Sequence, residues 1–205
     1  MKLIAVSQRI DNHTDRQEIR DAIDQRLIAF LLECNCLPVQ VPNFAGLKNP
    51  RQCKEQNHLQ NWLDRVQPDG IVLSGGNDIG KYPTRDNLEY GLVEYALSKK
   101  IPMLGICRGM QVLGVWAGED LKPVNGHVGH KHQLNGQFTY EVNSYHNFAL
   151  HKCPKDFKVT ARSEDGSIEA IQHQYLPWSG IMWHPEREEP FLIDDINNVK
   201  SMLDR

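Results

Sequence analysis

The residue in this chain best placed to do chemistry is a cysteine held between glycines. Gly105-Ile106-Cys107-Arg108-Gly109 has G-x-C-x-G spacing, preceded by Met103-Leu104 and followed by Met110-Gln111. This is the cysteine form of the nucleophile elbow, where the nucleophile rides on a sharp strand-to-helix turn. The glycines leave room for the turn. The turn lifts the thiol clear of the sheet and sets it at a helix N-terminus, where negative charge is favoured. A cysteine nucleophile needs a base, and the base needs an orienting group. Met182-Trp183-His184-Pro185-Glu186 offers both. Positions i and i+2 face apart on a helix, so Glu186 reaches His184 only if the segment is extended. Pro185 disfavours helical geometry at His184. The expected chemistry is attack on an acyl carbon.

Such a site needs strands that end together and helices that begin beside them. Leu3-Ile4-Ala5-Val6 reads as the first strand. Thr14 and Gln17 match a capping box, and Ile23, Leu27, Phe30, Leu31 and Cys34 follow at helical spacing. Together they predict an amphipathic helix over about 15–35. Pro38–Pro42 reads as a short strand, and residues 43–57 as polar and irregular. His58, Leu59, Trp62, Leu63 and Val66 make a helical face. Gly70–Leu73 is a buried strand ending at Ser74-Gly75-Gly76, and Asp86 and Glu89 are expected to cap the next helix. Strand 101–106 leads into the elbow. This alternation predicts a doubly wound, mostly parallel α/β sheet with flanking helices, flavodoxin-like.

The last third changes character. Phe138–Val142, Lys158–Ala161 and Ile168–Ile171 read as a small antiparallel extension, with Asp165-Gly166 as a hairpin turn. Ser179–Trp183 reads as a strand that delivers His184. Pro190 precedes a closing helix bearing Ile193, Ile196, Val199 and Leu203. With no repeat or linker, one domain over 1–205 is expected.

Composition narrows the class. The net charge of -3 over 205 residues gives no bulk attraction to nucleic acid or an anionic membrane. No apolar run is long enough to span a bilayer. Cys34, Cys36, Cys53, Cys107 and Cys153 are an odd number without a secretory signal, so reduced thiols in a cytoplasm are expected. Cys34 and Cys36 read as structural.

Ser74-Gly75-Gly76, the segment Gly105–Gln111, Val142-Asn143-Ser144-Tyr145-His146 and Trp183-His184-Pro185-Glu186, in that order, resemble the class I glutamine amidotransferase superfamily. Within it the chain is similar to the free-standing γ-glutamyl hydrolase branch, which includes γ-glutamyl-γ-aminobutyrate hydrolase. The resemblance implies that Cys107 is the nucleophile, that His184 is the base and then the acid, and that Glu186 orients it. It implies an oxyanion hole from the N–H groups of Gly76 and Arg108. Gln111 would hold the glutamyl head group, and backbone at Ser144 and Tyr145 its α-amino and α-carboxylate ends. No cofactor is implied.

The leaving group is less defined. The resemblance leaves open γ-glutamyl-aminobutyrate, γ-glutamyl polyamines, folate polyglutamate, or a γ-glutamylated phosphoramidate nucleotide in surface-polysaccharide synthesis. A glutaminase component feeding ammonia to a separate synthetase is the alternative. Arg9, at the end of the first strand, is the candidate for an anionic leaving group. The histidines His127, His130 and His132 lie in polar, glycine-containing sequence with no carboxylate or cysteine at ligand spacing beside them. They read as a mobile loop that contributes His127 and His130 to the substrate rather than as a metal site. Oligomeric state is open, with a homodimer one option.

Overall fold

The computed structural model describes residues 1–43 and 58–204. Cys53 and nearly all of the stretch read as polar and irregular lie outside the described residues. The chain begins with β1 (Lys2–Ser7), a hairpin of β2 (Arg9–His13) and β3 (Glu18–Ala22), helix α1 (Gln25–Glu33) and β4 (Cys36–Val41). Then come α2 (His58–Val66), β5 (Gly70–Leu73), α3 (Pro83–Lys99), β6 (Met103–Ile106) and α4 (Arg108–Trp116). The next strands are β7 (Leu121–Pro123), β8 (Val128–Gln133), β9 (Asn135–Gly136), β10 (Glu141–Tyr145) and β11 (Phe148–Leu150). The chain closes with β12 (Phe157–Arg162), β13 (Ile168–His173), β14 (Trp178–Ile181) and α5 (Ile193–Leu203).

An eight-stranded sheet runs β4-β1-β5-β6-β14-β13-β12-β9. Its first five strands pair in parallel, and the rest are antiparallel. This is the expected doubly wound sheet with an antiparallel extension. Alternate residues of each strand serve opposite faces. Ala5, Ile71, Leu73 and Met103 meet α2, α3 and α4 through Leu63, Leu88, Leu92 and Leu113. Ile4, Val6, Val72, Leu104 and Ile106 meet α1 and α5 through Phe30, Leu31, Val199 and Leu203. Each fully buried side chain of this size contributes about 1.5–3 kcal/mol relative to exposure.

The helix expected over about 15–35 is in fact a hairpin followed by a shorter helix. Asp11 stands opposite Arg20 and His13 opposite Glu18 across the hairpin, placing opposite or complementary groups face to face. Thr14 and Gln17 lie in its turn, with Gln17 at φ 53. The helical periodicity takes hold only after Asp24, whose side chain accepts from the Arg26 N–H at 2.9 Å. Asp86 and Glu89 are not caps either. Helix α3 opens at Pro83, whose fixed φ suits a first position, and both acids turn instead to buried guanidiniums. Phe138 and Tyr140 are outside any strand. They pack edge-on against Trp183, so the strand starts at Glu141.

Candidate active site

Strand β6 ends at Ile106 and α4 begins at Arg108, so Cys107 alone makes the turn. Its backbone sits at φ 50, ψ -104, a conformation unfavourable for a residue with a Cβ. Such a residue stores about 1–3 kcal/mol of strain. The turn is held by the Cys107 N–H donating to the Ile181 carbonyl at 2.7 Å and by the Gln111 N–H donating to the Cys107 carbonyl at 3.2 Å. Both glycines of the motif are close-approach residues. A Cβ on Gly105 would lie 2.4 Å from the Gly109 carbonyl carbon, and one on Gly109 would lie 2.1 Å from the Leu73 oxygen. The helix could not pack so close to β5 and β6 with larger residues there.

Cys107 is 6% exposed. That small exposure opens into a cleft of about 160 Å³ lined by Gly76, Arg108, Gln111, Tyr145, His184 and Arg187, among others. His184 follows β14 and lines the same cleft as Cys107. Its Nδ1 is 2.6 Å from Glu186 Oε1. His184 is non-helical, as Pro185 requires, but Pro185–Arg187 then form a single 3₁₀ turn rather than an extended run. The tight turn brings Glu186 back under the ring. Burial works against a charged imidazole here, but the neighbouring Cys107 and the Glu186 carboxylate outweigh it and push His184 up to about 9. The neighbouring acids are engaged elsewhere. Glu188 pairs with Lys131 and accepts from Asn143, and Glu189 pairs with Arg26.

The opposite wall is the loop after β5. A Cβ on Gly75 would lie 2.6 Å from His184 Cε1, so only glycine fits beside the ring. Gly76 adopts φ 81. Arg85, wholly buried on α3, gathers the carbonyls of this loop. Its Nη2 donates to Ser74 O at 2.9 Å and Gly75 O at 3.0 Å, and its Nη1 donates to Gly76 O. Its Nε pairs with Glu89 at 3.0 Å. The Arg108 guanidinium is buried in ion pairs with Asp86 and Glu89. Its N–H begins α4, where backbone donors have no intrahelical acceptor. Sequence reasoning missed Arg85 and misassigned its two acids. The signal was present: an arginine, an aspartate and a glutamate at helical spacing on an otherwise apolar helix face.

Gln111 lines the cleft while its Nε2 donates to the Phe148 carbonyl at 2.8 Å. Ser144 is fully buried, its hydroxyl donating to the His127 carbonyl at 2.7 Å. Tyr145 faces His184 edge-on at 6.1 Å between ring centroids, and the Arg187 guanidinium lies 4.6 Å over the tyrosine ring. Arg9 belongs to the hairpin rather than to the end of β1. The hairpin is fastened by Asn77, which bonds both the N–H and the carbonyl of Ile10. Arg9 thereby comes beside Gly76 while pairing with Asp11 at 2.9 Å.

The histidine segment differs from expectation. It is strand β8, paired with β10, not a mobile loop. His130 is exposed and His127 is buried, and neither is among the residues lining the cleft. His146 does line it, and His127 packs behind His146. The carboxylate missing from the local sequence arrives from β13 as Glu169, wholly buried among these rings. Cys34 and Cys36 are buried free thiols, as expected, and Cys153 is also free.

The profile of glutamine amidotransferase class-I matches residues 16–189. The γ-glutamyl-CDP-amidate hydrolase of Campylobacter jejuni is 36% identical over 136 residues, covering 63% of this chain and 66% of that protein. The chain thus spans about two thirds of that relative's length. A glutamine-hydrolyzing GMP synthase component of Methanothrix thermoacetophila is 32% identical over 134 residues, covering 60% of this chain and 70% of that protein. Among solved structures, a glutamine amidotransferase from Thermotoga maritima superposes with a TM-score of 0.65 at 19% identity, covering 99% of this chain and 84% of that one. At that identity the likeness speaks for the fold alone. No helix among the described residues is long and apolar enough to cross a membrane.

Proposed function

This chain belongs to the class I glutamine amidotransferases, and we propose that it acts as a free-standing hydrolase of a γ-glutamyl amide through a thioester on Cys107. The observation that carries this reading is the strained Cys107 turn set against His184, with Glu186 at 2.6 Å behind the imidazole. A buried structural cysteine would need none of this.

The geometry supports the following steps. Cys107 gives its proton to His184, the resulting thiolate attacks the γ-carbonyl carbon, and the oxyanion rests on the N–H groups of Gly76 and Arg108. Each such donor is worth about 3 kcal/mol to the transition state. His184, protonated at neutral pH because it titrates at about 9, gives its proton to the nitrogen as the C–N bond breaks. Water then attacks the thioester and returns a proton to His184, the C–S bond breaks, and glutamate leaves. Gln111 and the Ser144–Tyr145 backbone hold the glutamyl part. Arg85 serves this chemistry indirectly by drawing the three carbonyls of the Ser74–Gly76 loop to one side.

The leaving group we propose is anionic, a phosphoramidate of a nucleotide used in surface-polysaccharide synthesis. Arg187 on the cleft wall and Arg9 beside Gly76 provide cations for it. The similarity to the Campylobacter hydrolase, named for a γ-glutamyl-CDP-amidate, supports the same substrate class. The similarity to a GMP synthase component favours the second reading, a glutaminase that passes ammonia to a synthetase.

Glutamate release by the purified chain alone, from γ-glutamyl phosphoramidates, γ-glutamyl-aminobutyrate and glutamine, tests all of this. Turnover of one γ-glutamyl amide far above glutamine is the expected result. Turnover of glutamine only with an added synthetase would replace the hydrolase with the second reading. No turnover under any condition would remove both.

A further inference from the structure

We propose that His127, His132, His146 and Glu169 form a closed, structural binding site for a divalent transition metal, zinc foremost, directly behind the cleft wall. Glu169 on β13 is wholly buried, and neither of its carboxylate oxygens meets a hydrogen-bond partner. Three imidazole nitrogens face it. His127 Nδ1 lies 3.6 Å and His146 Nε2 3.5 Å from Oε1, and His132 Nε2 lies 3.4 Å from Oε2. His132 Nε2 is itself buried without a hydrogen-bond partner. A buried carboxylate with unsatisfied oxygens among imidazoles is costly unless a cation sits between them.

The outer ring nitrogens identify what the inner ones can do. His127 Nε2 is 3.0 Å from Asp165 Oδ2, and His146 Nδ1 is 3.1 Å from the Phe148 carbonyl. A carboxylate and a carbonyl only accept, so both outer nitrogens carry hydrogen. In the neutral rings the inner nitrogens are then bare lone pairs. They stand 3.3 Å from each other and point toward Glu169. Metal-bound histidines show this same arrangement, with the outer N–H given to a carboxylate or backbone carbonyl.

The spacing suits a tetrahedral ion. Zinc–nitrogen bonds of about 2.0–2.1 Å place neighbouring tetrahedral ligand atoms about 3.3–3.4 Å apart. His127 Nδ1, His146 Nε2 and Glu169 Oε1 stand 3.3 to 3.6 Å apart, His132 Nε2 lies 3.4 Å from the other carboxylate oxygen, Oε2, and the donor atoms of His127, His132 and Glu169 all lie within 4.8 Å of one another. Three imidazoles and one carboxylate suit zinc or a similar first-row ion better than magnesium or calcium, which prefer all-oxygen shells. Four protein ligands leave no open position, which marks a structural rather than a catalytic site. His132 lies on β8 and His127 immediately precedes it, His146 follows β10, and Glu169 comes from β13 of the central sheet. A bound ion would staple the β8–β10 ribbon to that sheet, and through His146 it would fix the segment that lines the cleft.

The test uses the full chain purified from zinc-supplemented medium and exhaustively dialysed. Elemental analysis should find about one zinc per chain, and a strong chelator should lower the melting temperature. Cobalt loaded in its place should give the intense visible bands of tetrahedral Co(II) without thiolate charge transfer. Glu169→Gln and His132→Asn, nearly isosteric, should each cut zinc affinity at least tenfold, whereas Cys107→Ala should retain the ion. Less than about a tenth of an equivalent in the wild-type chain after incubation with zinc would overturn the site. So would loss of the ion in Cys107→Ala, because the metal would then sit at the cysteine.

Discussion

Asn143 holds His184 by both sides of its peptide: Asn143 Nδ2 donates to the His184 carbonyl at 2.8 Å, and Asn143 Oδ1 accepts the His184 N–H at 3.0 Å. The amide sits on β10 and the histidine just past β14, so one side chain ties the strand that carries Tyr145 to the segment that carries His184. Asn143→Leu should leave both backbone groups buried and unpaired, at about 1–3 kcal/mol for each. Turnover should fall at least tenfold, because a small displacement of the imidazole degrades its alignment with sulfur. Thermal unfolding together with glutamate release checks this. A variant that melts as the wild type and turns over normally would show that the clamp is redundant.

The strain at Cys107 sets stability against chemistry. Its φ of 50 and ψ of -104 suit glycine better than any residue with a Cβ. Cys107→Gly and Cys107→Ala both remove the sulfur, so both should be inactive. Between the two, the glycine variant should be the more stable by about 1 kcal/mol or more, since alanine keeps the unfavourable conformation. Denaturant midpoints of the two variants measure the difference. Equal midpoints would mean that the turn carries no such strain. In the wild-type chain, iodoacetamide should label Cys107 ahead of Cys34 and Cys36. Burial pushes Cys34 up to about 12 and raises Cys36 as well.

How far the sequence could be read depended on how local each cause was. The elbow was legible because its glycines, its cysteine and the following helix are neighbours in the chain. Glu186 was legible because it lies two residues from its partner. The first helix was misread because Ile23 to Cys34 are helically spaced whether or not the preceding residues follow. Only the pairing of Arg9–His13 with Glu18–Ala22 reveals the hairpin. Arg85, Asn143 and Glu169 were illegible for a different reason. Each meets its partners across strands or layers: Ser74 and Gly76, His184, and the three histidines. Buried polar residues announce that a partner exists, but not which one.

The raised titration of His184 gives activity and stability a shared upper limit. The ring titrates at about 9 in the folded chain, against about 6.5 for a free imidazole. Its protonated form therefore adds stability that is fully present below about pH 6.5 and lost as the pH rises through about 9. The proton for the leaving amine disappears over the same limb, so kcat/KM should fall above about pH 9. Glu186 is one of the groups that raise His184, so Glu186→Gln should shift that limb to lower pH while leaving some turnover. A pH–rate profile with an unmoved alkaline limb would detach Glu186 from the imidazole.

The two arginines at the cleft can be separated from the glutamyl site by the charge of the leaving group. Arg9 is about half exposed and paired with Asp11, whereas Arg187 lines the cleft and lies over Tyr145. If the departing group carries phosphate, Arg9→Ala should weaken kcat/KM for an anionic γ-glutamyl substrate by about 1.5–3 kcal/mol, the range for hydrogen bonds to charged groups. Arg187→Ala should cost at least as much, because its surroundings are better shielded from water and its planar fork suits phosphate oxygens. Neither change should matter much for a neutral γ-glutamyl anilide, whose departing half offers nothing for a guanidinium to hold. The loss on the anionic substrate should also shrink as salt rises, more for the exposed Arg9 than for Arg187. Equal losses on both substrates would place these side chains in the support of the Gly76 and Tyr145 walls, and would leave the anionic leaving group without support from any residue of the cleft.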